Sequence, residues 1–130
     1  MVRSDVDGLP YWCSQLASLK YEVIASHEDR IPGLRNWIIE VDVPSRTLSS
    51  LLADSHYPRL DLLAIDVEGF DYEVLKQIDS LSFIPHFIYF EHRHLSPDDH
   101  RESLTFLAAR GYQTISVNDG DSFAERISNG

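Results

Sequence analysis

The stretch L-D-L-L-A-I-D-V-E-G-F-D-Y-E-V-L-K, Leu60 to Lys76, changes its hydrophobic pattern half-way along. Asp61 to Asp66, D-L-L-A-I-D, is a continuous apolar run inside an acidic frame, as expected of a strand covered on both faces. Val67 to Ser80 then sets Val74, Leu75 and Ile78 at helical spacing with polar residues between them. A strand that feeds a helix makes this region α/β, and the downstream sequence repeats the unit. Pro85 introduces H-F-I-Y-F-E, a second apolar strand ending at Glu91. Ser96-Pro97-Asp98-Asp99 is a helix start, with Ser96 as N-cap, Pro97 at the first helical position and Asp99 as the capping-box acid. Leu104, Leu107 and Ala108 would give that helix a buried stripe, and Gly111 is placed to end it. Tyr112 to Val117 reads as a third strand, and Asn118-Asp119-Gly120-Asp121 is turn chemistry leading into F-A-E-R-I.

Nineteen residues separate Asp66 from His86, and a similar gap precedes Tyr112. Each gap holds a helix, which implies parallel strands joined by right-handed crossovers. The last connection is too short for a crossover, so the final strand should run antiparallel to its predecessor. The expected fold is a mostly parallel α/β sheet that closes in an antiparallel hairpin.

Upstream the pattern weakens. Residues 1–35, broken by Gly8-Leu9-Pro10 and Ile31-Pro32-Gly33, read as an N-terminal extension of loop with one helix. Asn36 to Val43, N-W-I-I-E-V-D-V, alternates and is rich in β-branched residues, which predicts a half-buried strand stopped by Pro44. Thr47 to Ala53 resembles a short helix capped by Ser45 or Thr47. The domain proper is therefore expected over residues 36–130.

Composition narrows the function classes. At 130 residues, 43% hydrophobic and 25% charged, the chain suits one soluble globular domain. Its single cysteine, Cys13, excludes an intrachain disulfide and paired-cysteine zinc sites, and reads as a small buried hydrophobe. Of the six glycines, at 8, 33, 69, 111, 120 and 130, no two lie closer than nine positions. Neither a G-x-G-x-x-G nor a G-x-x-x-x-G-K-[ST] phosphate loop is present. The net charge is −10, with 13 acids against 5 bases in residues 61–130 and only two lysines overall. No nucleic-acid or anionic-membrane partner is expected of such a surface. No apolar stretch reaches the roughly 20 residues of a membrane span, and M-V-R-S-D-V-D-G is too polar for a signal peptide. A cytoplasmic location is the default.

Ligands of open parallel sheets bind outside the carboxyl ends of the strands. Asp66 closes one strand, with Glu68 and Gly69 just beyond it, and Glu91 closes the next, followed by His92, Arg93 and His94. Neighbouring strands lie about 4.8 Å apart, so these carboxylates would share one rim. Such a rim could position a hydroxyl, supply a general base or hold a divalent ion. The structural alternative makes Asp66 a helix cap, Glu68 a first-turn acid and Gly69 a close-packing residue. His92 and His94 form no i, i+4 metal pair, and no metal ligand set is assigned.

The stretch from Leu60 to Lys76 closely resembles the D-L-L-K-I-D-V-E-G-x-E-x-x-V-L signature of FkbM-type S-adenosylmethionine-dependent methyltransferases. Upstream, V-D-V-P-S-R-T-L-S-S-L-L is similar to the family's valine-rich strand and T-L-D-x-L-L segment. Downstream, F-I-Y-F-E-H and D-S-F-A also fit. The resemblance covers about residues 36 to 124 and continues more vaguely back to Tyr11. It departs at Ala64, where the signature has lysine, and at Asp71, where it has glutamate.

The resemblance implies the C-terminal half of a class I (Rossmann-like) methyltransferase sheet, in which the last strand is antiparallel and the strand ending at Asp66 is the fourth. It implies S-adenosylmethionine as cofactor, with Asp66 and Gly69 on the cofactor side. Asp66, Glu68, Glu91 and His92 would be the active-site residues, the last two facing the acceptor. The acceptor would be a hydroxyl of a small molecule or sugar. The family's donor-binding strand and glycine loop have no counterpart before Tyr11, so the chain is expected to be a partial methyltransferase, inactive or partner-dependent by itself. Its partner would be a separately encoded N-terminal half or a second copy. A second reading is a non-catalytic half-sheet that self-associates, and a third is a metal-dependent enzyme using Asp66, Glu68 and Glu91 as oxygen ligands.

Overall fold

The computed structural model describes residues 1–56 and 58–127. Tyr57 and residues 128–130, which the expected domain includes, lie outside the described residues. The chain divides into two compact units, Met1–Pro44 and Ser45–Gly130, and residues 36–44 belong to the first.

Unit Met1–Pro44 is built from short pieces. Helix α1 (Tyr21–Ala25) is accompanied by 3-10 turns at Tyr11–Gln15, Ser26–Asp29 and Leu34–Trp37. Val2, Cys13, Leu16, Ile24, Ile31 and Leu34 form its core. The predicted strand over Asn36 to Val43 is not formed. Asn36 and Trp37 lie in a 3-10 turn, and Ile38 makes one isolated bridge with Val2. Alternation alone does not make a strand; beyond Ile38 no ladder partner is present among the described residues, and Val41 and Val43 stay exposed. A loop further back is held by Glu28, whose carboxylate accepts from the Gly33 and Arg35 N–H groups at 2.7 and 2.9 Å. Cys13 is buried, and burial pushes its thiol up, away from reactivity.

Unit Ser45–Gly130 carries a four-stranded mixed sheet of β1 (Leu62–Ile65), β2 (Phe87–Glu91), β3 (Tyr112–Ser116) and β4 (Asp121–Arg126), ordered β1-β2-β4-β3. β1 and β2 are parallel, as their helical connection predicts. β4 runs antiparallel to β3 as expected, and it also pairs with β2, lying between the two. The tight β3–β4 turn is set by Asn118, whose Oδ1 accepts from the Gly120 and Asp121 N–H groups at 2.7 and 3.0 Å.

Three helices accompany the sheet. Thr47 caps α2 (Leu48–Ala53) by accepting from the Ser50 N–H at 3.2 Å. α3 (Asp71–Leu75) continues as a 3-10 turn to Ser80. In α4 (Pro97–Ala108), Ser96 Oγ accepts from the Asp99 N–H at 3.1 Å, so Ser96 is the N-cap and Pro97 opens the helix as expected, while the Asp99 carboxylate accepts from the Ser96 hydroxyl at 2.8 Å. The buried stripe of α4 is rotated from the expected one: Ser103 and Leu107 are fully buried, whereas Leu104 and Ala108 are exposed. Ser103 tolerates the core because its hydroxyl donates to the His100 carbonyl at 2.7 Å.

Leu63, Ile65, Ile88, Phe90, Tyr112 and Ala124 point to one face of the sheet and pack with Leu75, Ile78 and Leu107. β1 was expected to be covered on both faces and instead alternates, with Leu62 50% exposed and Ala64 open. Leu62, Ile115 and the stacked pair Phe87–Phe123 lie on the opposite face, where Ile115 is 57% exposed. No helix of the described residues is long and apolar enough to cross a membrane.

Candidate active site

Sheet register brings the strand-end acids together. Ile65 lies opposite Phe90, so Asp66 and Glu91 leave adjacent parallel strands side by side at the carboxyl end of the sheet. Asp66 is exposed there. It caps no helix: residues 67–70 form a turn, closed by the Phe70 N–H on the Val67 carbonyl at 3.3 Å, and α3 begins only at Asp71. Both central residues of the turn have positive φ, +50° at Glu68 and +92° at Gly69. This is the geometry of a type I′ turn, which glycine adopts freely and glutamate does not. The Gly69 N–H donates to Asp71 Oδ2 at 3.2 Å, and Asp71 is wholly buried. Burial holds the Asp71 carboxyl above the usual range, against the pull of the backbone donors around it.

The turn brings Glu68 to His94. Glu68 Oε2 lies 3.3 Å from His94 Nε2, and the same nitrogen is 3.9 Å from Glu91 Oε1. Glu91 is the most enclosed of the three, its side chain 17% exposed, and its Oε2 is buried with no hydrogen-bond partner among the described residues. Burial, then the charges of Glu68, Asp66 and Asp71, pushes the Glu91 carboxyl up to about 7, with Arg93 pulling the other way. Ligand-capable atoms of Glu68, Glu91 and His94 all lie within 4.8 Å of one another.

His92 is placed differently. Its Nδ1 is 2.9 Å from Ser122 Oγ, and its ring stacks on His100 at 4.2 Å with the planes 1° apart. Burial, and secondarily His92, lowers the His100 pKa. The loop carrying His92 and His94 is pinned because the His92 and Arg93 N–H groups both donate to the Gly120 carbonyl, at 2.7 and 3.1 Å. The structure thus brings Asp66, Glu68 and Glu91 to one rim, turns His92 toward β4 and α4, and adds His94. His94 lies three residues beyond Glu91, a spacing that does not by itself set which way its ring points.

A cleft of about 340 Å³ lies elsewhere in the unit, between α2 and the 3-10 turn after α3, with Leu52, His56 and Phe83 among its walls. Among the described residues it shares none with the rim, and His56 is the titratable group in its lining. The rim is where carboxylates and an imidazole converge, and it can orient a hydroxyl, accept a proton or take a cation.

No curated protein and no solved structure matches the chain. A family model, the methyltransferase FkbM domain, matches residues 11–114, a span that contains both I-D-V-E-G and the F-E-H strand end. The chain belongs to the FkbM methyltransferase family.

Proposed function

We propose that the chain serves S-adenosylmethionine-dependent methylation of a hydroxyl on a small molecule or sugar. The observation that carries this reading is the side-by-side placement of Asp66 and Glu91 at the ends of β1 and β2 in a chain of a methyltransferase family. The strand order β1-β2-β4-β3, with its antiparallel β4, supports reading the unit as the C-terminal half of a class I sheet.

When bound, S-adenosylmethionine supplies an electrophilic methyl group on a positively charged sulfur. The rim's negative charge complements that sulfur, and Asp66, the most open of its acids, faces solvent where donor and acceptor would enter. With donor and acceptor in place, a rim carboxylate would accept the proton of the acceptor hydroxyl. His92, fixed by Ser122, shapes the acceptor side, and Gly69 lets the turn approach the donor without a side chain. Residues 1–130 have no glycine-rich loop, so in this reading another segment or chain completes the donor site. The setting is cytoplasmic, with no nucleic-acid or membrane partner.

Calorimetry with S-adenosylmethionine and S-adenosylhomocysteine tests it. Saturable binding that Asp66→Asn weakens is expected, by the chain alone or together with the segment or chain that completes the donor site; equal binding by that variant, or no binding in either state, overturns it. A second reading, a non-catalytic module that self-associates, draws on the open sheet face at Leu62 and Ile115. It predicts dimers in sedimentation equilibrium that Ile115→Glu dissociates.

A further inference from the structure

We propose that Glu68, Glu91 and His94 form a binding site for one divalent transition-metal ion of the Zn²⁺ or Mn²⁺ kind. The three donors come from separate places in the unit: the turn after β1, the last residue of β2 and the loop leading to α4. Their ligand-capable atoms already lie within 4.8 Å of one another, so small side-chain rotations bring them round a single ion. Two carboxylates and an imidazole suit ions that accept both oxygen and nitrogen, and the imidazole disfavours Ca²⁺ and Mg²⁺.

Glu91 supplies an independent observation. Its Oε2 is shut off from solvent and accepts no hydrogen bond among the described residues, although buried carboxylate oxygens are ordinarily satisfied. Glu68, Asp66 and Asp71 all act on Glu91 with charge of the same sign, and Arg93 is the cation that opposes them. A dication would offset two carboxylates at once and give a partner to the buried Glu91 carboxylate, whose Oε1 lies toward His94. His92, occupied with Ser122 and stacked on His100, is outside the set. Three protein ligands leave the remaining coordination positions to water or a substrate oxygen.

The inference goes beyond methyl transfer and does not depend on it. Its test is calorimetry and thermal unfolding of the full chain with ZnCl₂, MnCl₂ and MgCl₂ at neutral pH, with no S-adenosylmethionine present. One Zn²⁺ or Mn²⁺ per chain and a raised Tm are expected. His94→Gln and Glu68→Gln should each weaken binding by about tenfold or more, while His92→Gln and His86→Gln leave it unchanged. His94 and Glu68 are partly exposed, so both variants are expected to fold, which a circular dichroism spectrum checks, and they keep the test decisive if Glu91→Gln does not fold. Absence of one-to-one binding, or wild-type affinity in His94→Gln and Glu68→Gln, overturns the site. Donor binding is measured separately, so either proposal can fail while the other stands.

Discussion

The two units solve the same burial problem by different means. Ser45–Gly130 hides its apolar residues through regular ladders and a twelve-residue helix, so hydrophobic period and buried face coincide. Met1–Pro44 gathers Val2, Cys13, Leu16, Ile24, Ile31 and Leu34 from turns and short helical pieces, with one β-bridge as its only sheet pairing among the described residues. A periodic core is specified locally and then assembled, whereas the other is specified only by what meets in space. Substitutions can break this contrast in order of expected size.

The largest effect is expected from Phe90→Ala in β2, where a fully buried ring sits between two paired strands; about 3–5 kcal/mol should be lost. Leu34→Ala is equally buried but lies in a 3-10 turn whose neighbours can close on the cavity, so its cost should fall near about 2–3 kcal/mol. Urea unfolding followed by far-UV circular dichroism and by tryptophan fluorescence compares the two. Equal losses would remove the distinction between them.

Backbone strain gives a mirrored pair. Gly33→Ala places a side chain at φ +85° with only ordinary contacts to Asn36 and Trp37, and should destabilise by about 1 kcal/mol. Glu68→Gly relieves a non-glycine residue at φ +50° and should stabilise by a similar amount, about 1 kcal/mol, while deleting a rim carboxylate. Paired melting curves check both signs, and a destabilised Glu68→Gly would show that the carboxylate supports the fold.

Ser96→Ala removes the α4 N-cap and should cost about 1 kcal/mol in the same assay. The smallest effect concerns Asp79, whose carboxylate accepts from the Arg110 guanidinium and is held below its ordinary pKa mainly by that bond. A depressed folded-state pKa stabilises above the unfolded carboxylate range, and the contribution disappears as pH falls through the folded value. Asp79 is exposed and Arg110 partly so, which screens the pair, so Asp79→Asn should lower stability only slightly at pH 7, and the difference should vanish as pH falls through the folded-state value.

The same contrast governs what could be read from the sequence. The strands ending at Asp66 and Glu91, the capped start at Ser96 and the antiparallel end followed from local pattern and loop length. The Asn36–Val43 strand failed because a ladder needs a partner that local pattern does not supply, and only Ile38 found one among the described residues. Coverage of β1 on both faces failed because a short apolar run does not reveal what lies beyond the sheet. At the rim, Asp66, Glu68 and Glu91 were legible as strand-end acids. Which histidine joins them depends on the ring orientation fixed by Ser122 and His100, residues distant in sequence that no spacing rule connects to the rim.

The position of β4 also sets an order in time. β2 and β3 are not paired with each other; each is hydrogen-bonded to β4, which follows both in the sequence. Until residues 121–126 emerge, β3 has no ladder of its own and the β2 edge that carries Glu91 lies open. The β2–β4 ladder that flanks Glu91 therefore forms only after residues 121–126 are made, tens of residues after the strand-end carboxylates.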